Sequence, residues 1–138
     1  MDVVISEEAT GRGRLVVRRV RPGVLHSVAS GHMCRSLVEV LVHAAETEMR
    51  ASPDGIEHFL DWSEVGSYDS EARVLATKWA LAQKPPHPRL HIVTTGRLVN
   101  MGVAAASLTL QLAGRPLHAY TSSNTFASRL NERRSTDA

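Results

Sequence analysis

The sequence predicts an α/β fold: a mixed β-sheet entered through an N-terminal antiparallel hairpin and covered by about four helices. Three observations lead there. Two β-branched runs, residues 14–20 and 24–29, flank Arg21-Pro22-Gly23, where proline presets φ and glycine accepts positive φ, so the pair reads as a hairpin. Helical and strand periodicities then alternate to the end of the chain, the order expected of a sheet covered by helices. Finally, 138 residues with 43% hydrophobic and 22% charged content suffice for one core, whereas two domains would each sit near the lower size limit. A single domain over 1–138 is expected, ordered over about 14–134, with the first residues and the end from Ser135 frayed.

The elements follow in order. Over residues 33–50, Arg35, Glu39, His43, Glu46 and Arg50 recur every three or four positions, and Leu37, Val38, Val40, Leu41, Ala44, Ala45 and Met49 fill a wide apolar face, so a helix is predicted. Pro53-Asp54-Gly55 turns the chain into a strand at 56–62. The second helix, 69–83, carries Ala72, Leu75, Ala76, Trp79 and Ala82 on one stripe, with Asp69 placed to cap it and Glu71 in its positive first turn. Prolines at 85, 86 and 88 stop it and lead to a short central strand at 90–94. A third helix over 98–113 ends at Gly114 with Pro116 beyond. Residues 117–120 make a weak last strand, and Ser123 caps a closing helix holding Phe126, Ala127 and Leu130. Gly11-Arg12-Gly13 lacks the lysine and length of a phosphate loop and reads as a flexible turn before a strand.

Composition narrows the function classes. Cys34 is the single cysteine, which excludes a disulfide framework. No apolar window approaches the roughly eighteen residues of a membrane span, and the start of the chain lacks the basic and apolar regions of a signal peptide, so a cytoplasmic protein is expected. A net charge of +2 and 4% aromatic content argue against nucleic acid as a partner. Histidines 26, 32, 43, 58, 87, 91 and 118 lack the close spacing of a zinc site; no metal, cofactor or catalytic residue is assigned. Cys34, at a helix start after Ser30-Gly31-His32, is either a thiol activated by helix and imidazole or, the preferred reading without a recognised base, a buried structural cysteine.

Charge and apolar residues are unevenly placed. No acid lies between Glu8 and Glu39, where Arg12, Arg14, Arg18, Arg19, Arg21 and Arg35 fall, whereas Asp54, Glu57, Asp61, Glu64, Asp69 and Glu71 occupy 51–72 unbroken by any lysine or arginine. Such asymmetry can steer a partner, although solvated faces are the commoner outcome. The third helix has no charge between Arg97 and Arg115. Leu98, Met101, Ala105, Leu108 and Leu112 form one stripe and Val99, Val103, Ala106, Leu110 and Ala113 another. It is expected to be buried nearly all round, by its own sheet, a second protomer or an apolar ligand. Together with the broad apolar face of the first helix, this points to a homodimer.

Residues 60–70, Leu-Asp-Trp-Ser-Glu-Val-Gly-Ser-Tyr-Asp-Ser, run from a strand through a short loop onto a helix start. This segment resembles the STAS domains of anti-sigma-factor antagonists, in which Leu-Asp-Leu-Ser-x-Val precedes Asp-Ser-Ser-Gly-Leu. Asp61, Ser63, Val65, Asp69 and Ser70 match without a gap, and Glu71-Ala72 replaces the following Ser-Gly-Leu. With the element order, the chain looks closest to the SpoIIAA-like branch, related in structure to CRAL-TRIO lipid carriers. The resemblance implies a non-enzymatic regulatory domain that binds a protein partner, with Ser70 as the residue a partner kinase phosphorylates. Asp61, Ser63, Glu64, Ser67, Tyr68, Asp69 and Glu71 would then form the partner surface. Its second implication is a carrier or sensor of an apolar small molecule or lipid, with the third helix lining the cavity. From the residues alone, a phosphate on Ser70 is favoured by free amides at a helix start and opposed by Asp69 and Glu71. Equally, Asp69 is a plain helix cap and Ser70 an ordinary first-turn residue.

Overall fold

The computed structural model describes residues 2–115 and 117–135, with the side chain of Leu98 excepted. Pro116 and residues 136–138, with the helix stop and the frayed end expected there, lie outside the described residues. The strands are β1 (Val3–Ala9), β2 (Gly13–Arg21), β3 (Val24–Met33), β4 (Glu57–Tyr68), β5 (Arg89–Val93) and β6 (Leu117–Tyr120), and the helices α1 (Arg35–Ala51), α2 (Ser70–Ala82), α3 (Arg97–Leu112) and α4 (Ser123–Ser135). One sheet holds the six strands in sequence order. β1, β2 and β3 are mutually antiparallel, and β3 to β6 run parallel.

The predicted hairpin is therefore part of a three-stranded meander. Residues 3–9, expected to be frayed, form its first strand. β1 is exposed along most of its length, with Glu7 and Glu8 facing water, so no alternating pattern marks it in the sequence. Beyond β1, Thr10 Oγ1 accepts the amides of Arg12 and Gly13 at 3.2 and 3.0 Å and closes the turn onto β2. At the same end of this hairpin layer, Gly31 pairs with Gly13 and holds φ +77°, and an added Cβ would collide with the carbonyl oxygen of Arg12.

Side chains alternate across each strand, which builds two cores. Leu15, Val17, Leu60 and Ile92 join Leu37, Val38, Leu41, Ala44 and Ala72 on the face covered by α1 to α3. Their neighbours Val20, Val24, Phe59 and Val93 join Phe126 and Leu130 of α4 on the other face. Each crossover helix links consecutive parallel strands that step in one direction across the sheet, so one handedness places α1, α2 and α3 on the same side. α1 presents the predicted apolar face, and with it Glu48, which is 2% exposed. Glu48 accepts from Arg19 Nε at 2.9 Å and from the Gly23 amide at 3.0 Å. Burial works against its charge, yet these hydrogen bonds hold its carboxyl below the usual range. On α2 the inward residues are Ala72 and Ala80, while Ala82, assigned to the stripe, is exposed because it lies off that face.

α4 is clamped by polar groups as well as by Phe126 and Leu130. His91 stacks on Phe59 with ring centres 4.3 Å apart and meets Glu57 Oε2 through Nε2 at 2.6 Å and the Tyr120 hydroxyl through Nδ1 at 2.8 Å. Arg133 of α4 donates to Glu57 Oε1 at 2.5 Å. Burial keeps His91 below its ordinary value, so the ring is neutral, donating through Nε2–H and accepting the tyrosine proton. Burial also opposes the charge on Glu57, but hydrogen bonds from His91 and Arg133 outweigh it and lower that pKa.

Candidate functional site

β4, with 12 residues, is more than twice the length of β5, which has 5. It pairs with β5 only from Glu57 to Asp61, whereas pairing with β3 continues to Tyr68. The segment expected to be a loop after Trp62 is thus a strand with one free side. It escaped the sequence pattern because Gly66 and its polar neighbours carry no alternating apolar signal, and β3 alone supplies its ladder. Val65 still points into the core at 2% exposure, and Glu64 and Gly66 point out.

Each predicted site residue has a definite place. Asp61 folds back on its own strand, taking the Ser63 amide at 3.1 Å and the Ser63 hydroxyl at 2.6 Å. The Ser63 carbonyl accepts the Thr95 hydroxyl at 2.8 Å, which ties the free side of β4 to the start of α3. Glu64, Asp69, Ser70 and Glu71 are exposed, and Ser67 and Tyr68 are half-buried. Tyr68 turns inward against α3, where a Cβ on Gly102 would collide with its hydroxyl. Asp69 stands at the N-cap position of α2 but makes no capping bond with its side chain. Its carboxylate instead meets His32 Nε2 at 2.9 Å, and His32 Nδ1 meets the Ser67 hydroxyl at 2.7 Å. An ionised carboxylate only accepts, so Nε2 carries the proton it shares with Asp69. The Asp69 amide donates to the Met33 carbonyl at 3.0 Å, completing a polar lock between the ends of β3 and β4 and the start of α2.

His32 was missed as a member of this cluster because it lies 35 positions from Ser67, with no local signal joining them. Cys34 follows at the N-cap of α1, and its Sγ lies 3.1 Å from the Ser36 hydroxyl. That hydroxyl, with the amide of Leu37, lowers the thiol pKa. The cysteine is partly exposed, against the buried reading, and the imidazole expected to activate it is turned to Ser67 and Asp69 instead.

Ser70 opens onto a surface groove that it lines with Arg35, Glu71, Val74, Leu75 and Lys78. Its surroundings are therefore not acid-only. The fold brings Arg35 from α1, where it pairs loosely with Glu39 at 3.4 Å, and the helical repeat brings Lys78 two turns along α2.

The third helix departs from the expectation of burial all round. Val99, Gly102 and Leu110 are inside, but Met101, Leu108 and Leu112 are 64%, 60% and 81% exposed. One stripe packs on the sheet, and the other finds no cover among the described residues. Among the described residues, no helix is long and apolar enough to cross a membrane.

A sheet in sequence order with an antiparallel start, three crossover helices on one face and a fourth on the other is the SpoIIAA-like fold. Two solved structures are similar to it in fold. An anti-sigma factor antagonist from Mycobacterium paratuberculosis matches with a TM-score of 0.57 at 16% identity, over 90% of this chain and 98% of that one. An uncharacterised protein with a SpoIIAA-like fold from Shewanella loihica matches with a TM-score of 0.52 at 11% identity, over 94% and 95%. No protein-family model and no curated protein sequence matches the chain.

Proposed function

We propose that this protein is a non-enzymatic cytoplasmic regulator that binds a protein partner at the free end of β4 and the start of α2, switched by phosphorylation of Ser70. The observation that carries the reading is the setting of Ser70. It is exposed on a helix start whose capping carboxylate is engaged by His32, in a groove that also holds Arg35 and Lys78. First-turn amides and two cations are the groups that accept a phosphate, and the added charge would change the surface a partner meets. Glu64, Asp69 and Glu71 are its outward residues. Asp61, Ser63, Ser67 and Tyr68 set the shape of the strand beneath them.

The test is affinity capture with wild type, Ser70→Ala and Ser70→Asp, each checked for an unchanged melting temperature. Ser70→Ala should keep the partner, and Ser70→Asp, with about half the charge of a phosphate, should lose part of it. Equal recovery by all three, with no phosphate on Ser70 of the native protein, refutes the switch.

The same reading places a second copy on the uncovered stripe of α3. Uncharged apolar faces of this kind are rare on monomers and suit a self-complementary two-fold contact. Light scattering at micromolar concentration should give the mass of two chains, and of one for Leu108→Glu. A monomeric wild type excludes the pairing.

A further inference from the structure

The space beneath α2 and α3 is not closed by side chains. A cavity of about 110 Å³ lies between the two helices and the sheet, walled by apolar side chains such as Leu60, Ile92, Val103 and Leu110. A smaller void of about 60 Å³ lies toward α1, and Leu41, Leu60, Ala76 and Leu90 line both. Protein interiors are packed nearly as densely as organic crystals, so paired voids of this size in a short chain need an explanation.

Two of the polar groups at these voids are buried donors without acceptors. Trp62 lines the larger void and Trp79 the smaller, and the indole N–H of each is buried with no acceptor in the protein among the described residues. Buried donors are normally paired, so two beside one apolar space are a specific departure. Arg73 also lines the larger void. It is exposed, and its guanidinium makes no hydrogen bond or ion pair among the described residues.

We propose that this space is a binding site for a small organic acid with an apolar body, whose carboxylate is held by Arg73 and whose oxygen atoms satisfy the buried indole donor of Trp62. An apolar cavity of about 150 Å³ accommodates benzene, so the two voids together suit a short aliphatic chain or one ring. A neutral hydrocarbon would leave the donors unpaired, and a small ion without a body would leave the apolar walls empty. This site goes beyond the partner surface at Ser70, since none of the groups that hold the acid is a residue of that groove.

The chain has two tryptophans, so its indole N–H groups give two resolved signals in a ¹⁵N–¹H spectrum, assigned with Trp79→Phe. The probe is hexanoate, with hexanol as the uncharged body and acetate as the charge alone. Hexanoate should move the Trp62 signal in a saturable way, with the Trp79 signal following, at an affinity at least tenfold above either control. Arg73→Gln, on the exposed rim, should bring hexanoate down to the level of hexanol. Ala106→Phe should abolish the shift by filling the void. If Ala106→Phe does not fold, Arg73→Gln carries the test alone. A Trp62 signal that stays in place at millimolar hexanoate, or one that acetate moves equally, overturns the proposal, as does unchanged preference for hexanoate in folded Arg73→Gln.

Discussion

Lowering the pH should unfold this protein through His58. The side chain lies on β4 at 2% exposure, with Nε2 3.0 Å from the hydroxyl of Ser27, itself wholly buried. Burial, with a smaller contribution from the charge of His26, lowers its pKa from 6.5 to about 3. The unfolded chain protonates near 6.5 and the folded one does not, so in this window the unfolded state binds more protons and stability falls with pH. The full contribution is present above pH 6.5 and is lost at about 1.4 kcal/mol per pH unit on the way down. At pH 4.5 the loss reaches about 2.7 kcal/mol, a large share of the 5–15 kcal/mol typical of a domain. The perturbation that isolates it is His58→Gln, which keeps a group able to bond Ser27 but does not titrate. Urea unfolding of both proteins at pH 7.5, 6.5, 5.5 and 4.5 gives the two stability curves. The wild type should lose about 2.7 kcal/mol more than the variant across the series, within the reach of a linear extrapolation. Burial also lowers His26 and His91, but they are common to both proteins and cancel in the difference. Parallel curves would show that His58 accepts its proton in the folded state and would refute the argument.

Other parts of the molecule give further expectations. Arg133→Met should lower stability by roughly 2–3 kcal/mol in denaturant titration, because it leaves Glu57 buried with one partner fewer; the 36% exposure of Arg133 keeps the loss below that of a fully buried pair. That gap should narrow as the pH falls through the depressed pKa of Glu57, since a protonated carboxyl no longer needs the guanidinium; a gap independent of pH would rule out the charge as its cause. Gly31→Ala should cost at least about 1–3 kcal/mol by thermal unfolding, from its positive φ and the collision with Arg12, and a neutral result would mean that the β2–β3 end relaxes freely. In the capture experiment on Ser70, Arg35→Ala should weaken the effect of Ser70→Asp, and an undiminished effect would remove Arg35 from the phosphate setting.

Periodicity alone determined the elements whose burial is one-sided. α1 and α2 announce themselves by an apolar face, β2 and β3 by β-branched runs about a Pro-Gly turn, and β5 by a short apolar run, because each meets the core over most of its length. The ungapped match of Asp61, Ser63, Val65, Asp69 and Ser70 likewise marked the segment on which the proposed function rests. What the sequence left open are the features in which a residue's environment comes from a distant element. β1 brings only Ile5 against the core, and the second half of β4 is held in extended form by β3. Asp69 sits at a cap position, and only the arrival of His32 on the neighbouring strand turns its carboxylate away from the helix. Ser70 lies among acids in the chain and shares a groove with Arg35 and Lys78 in space, since α1 and α2 begin at the same end of the parallel strands β3 and β4. The uncharged third helix predicted burial all round, but a sheet covers one side of a helix, and its second stripe was left to water by the order of the strands.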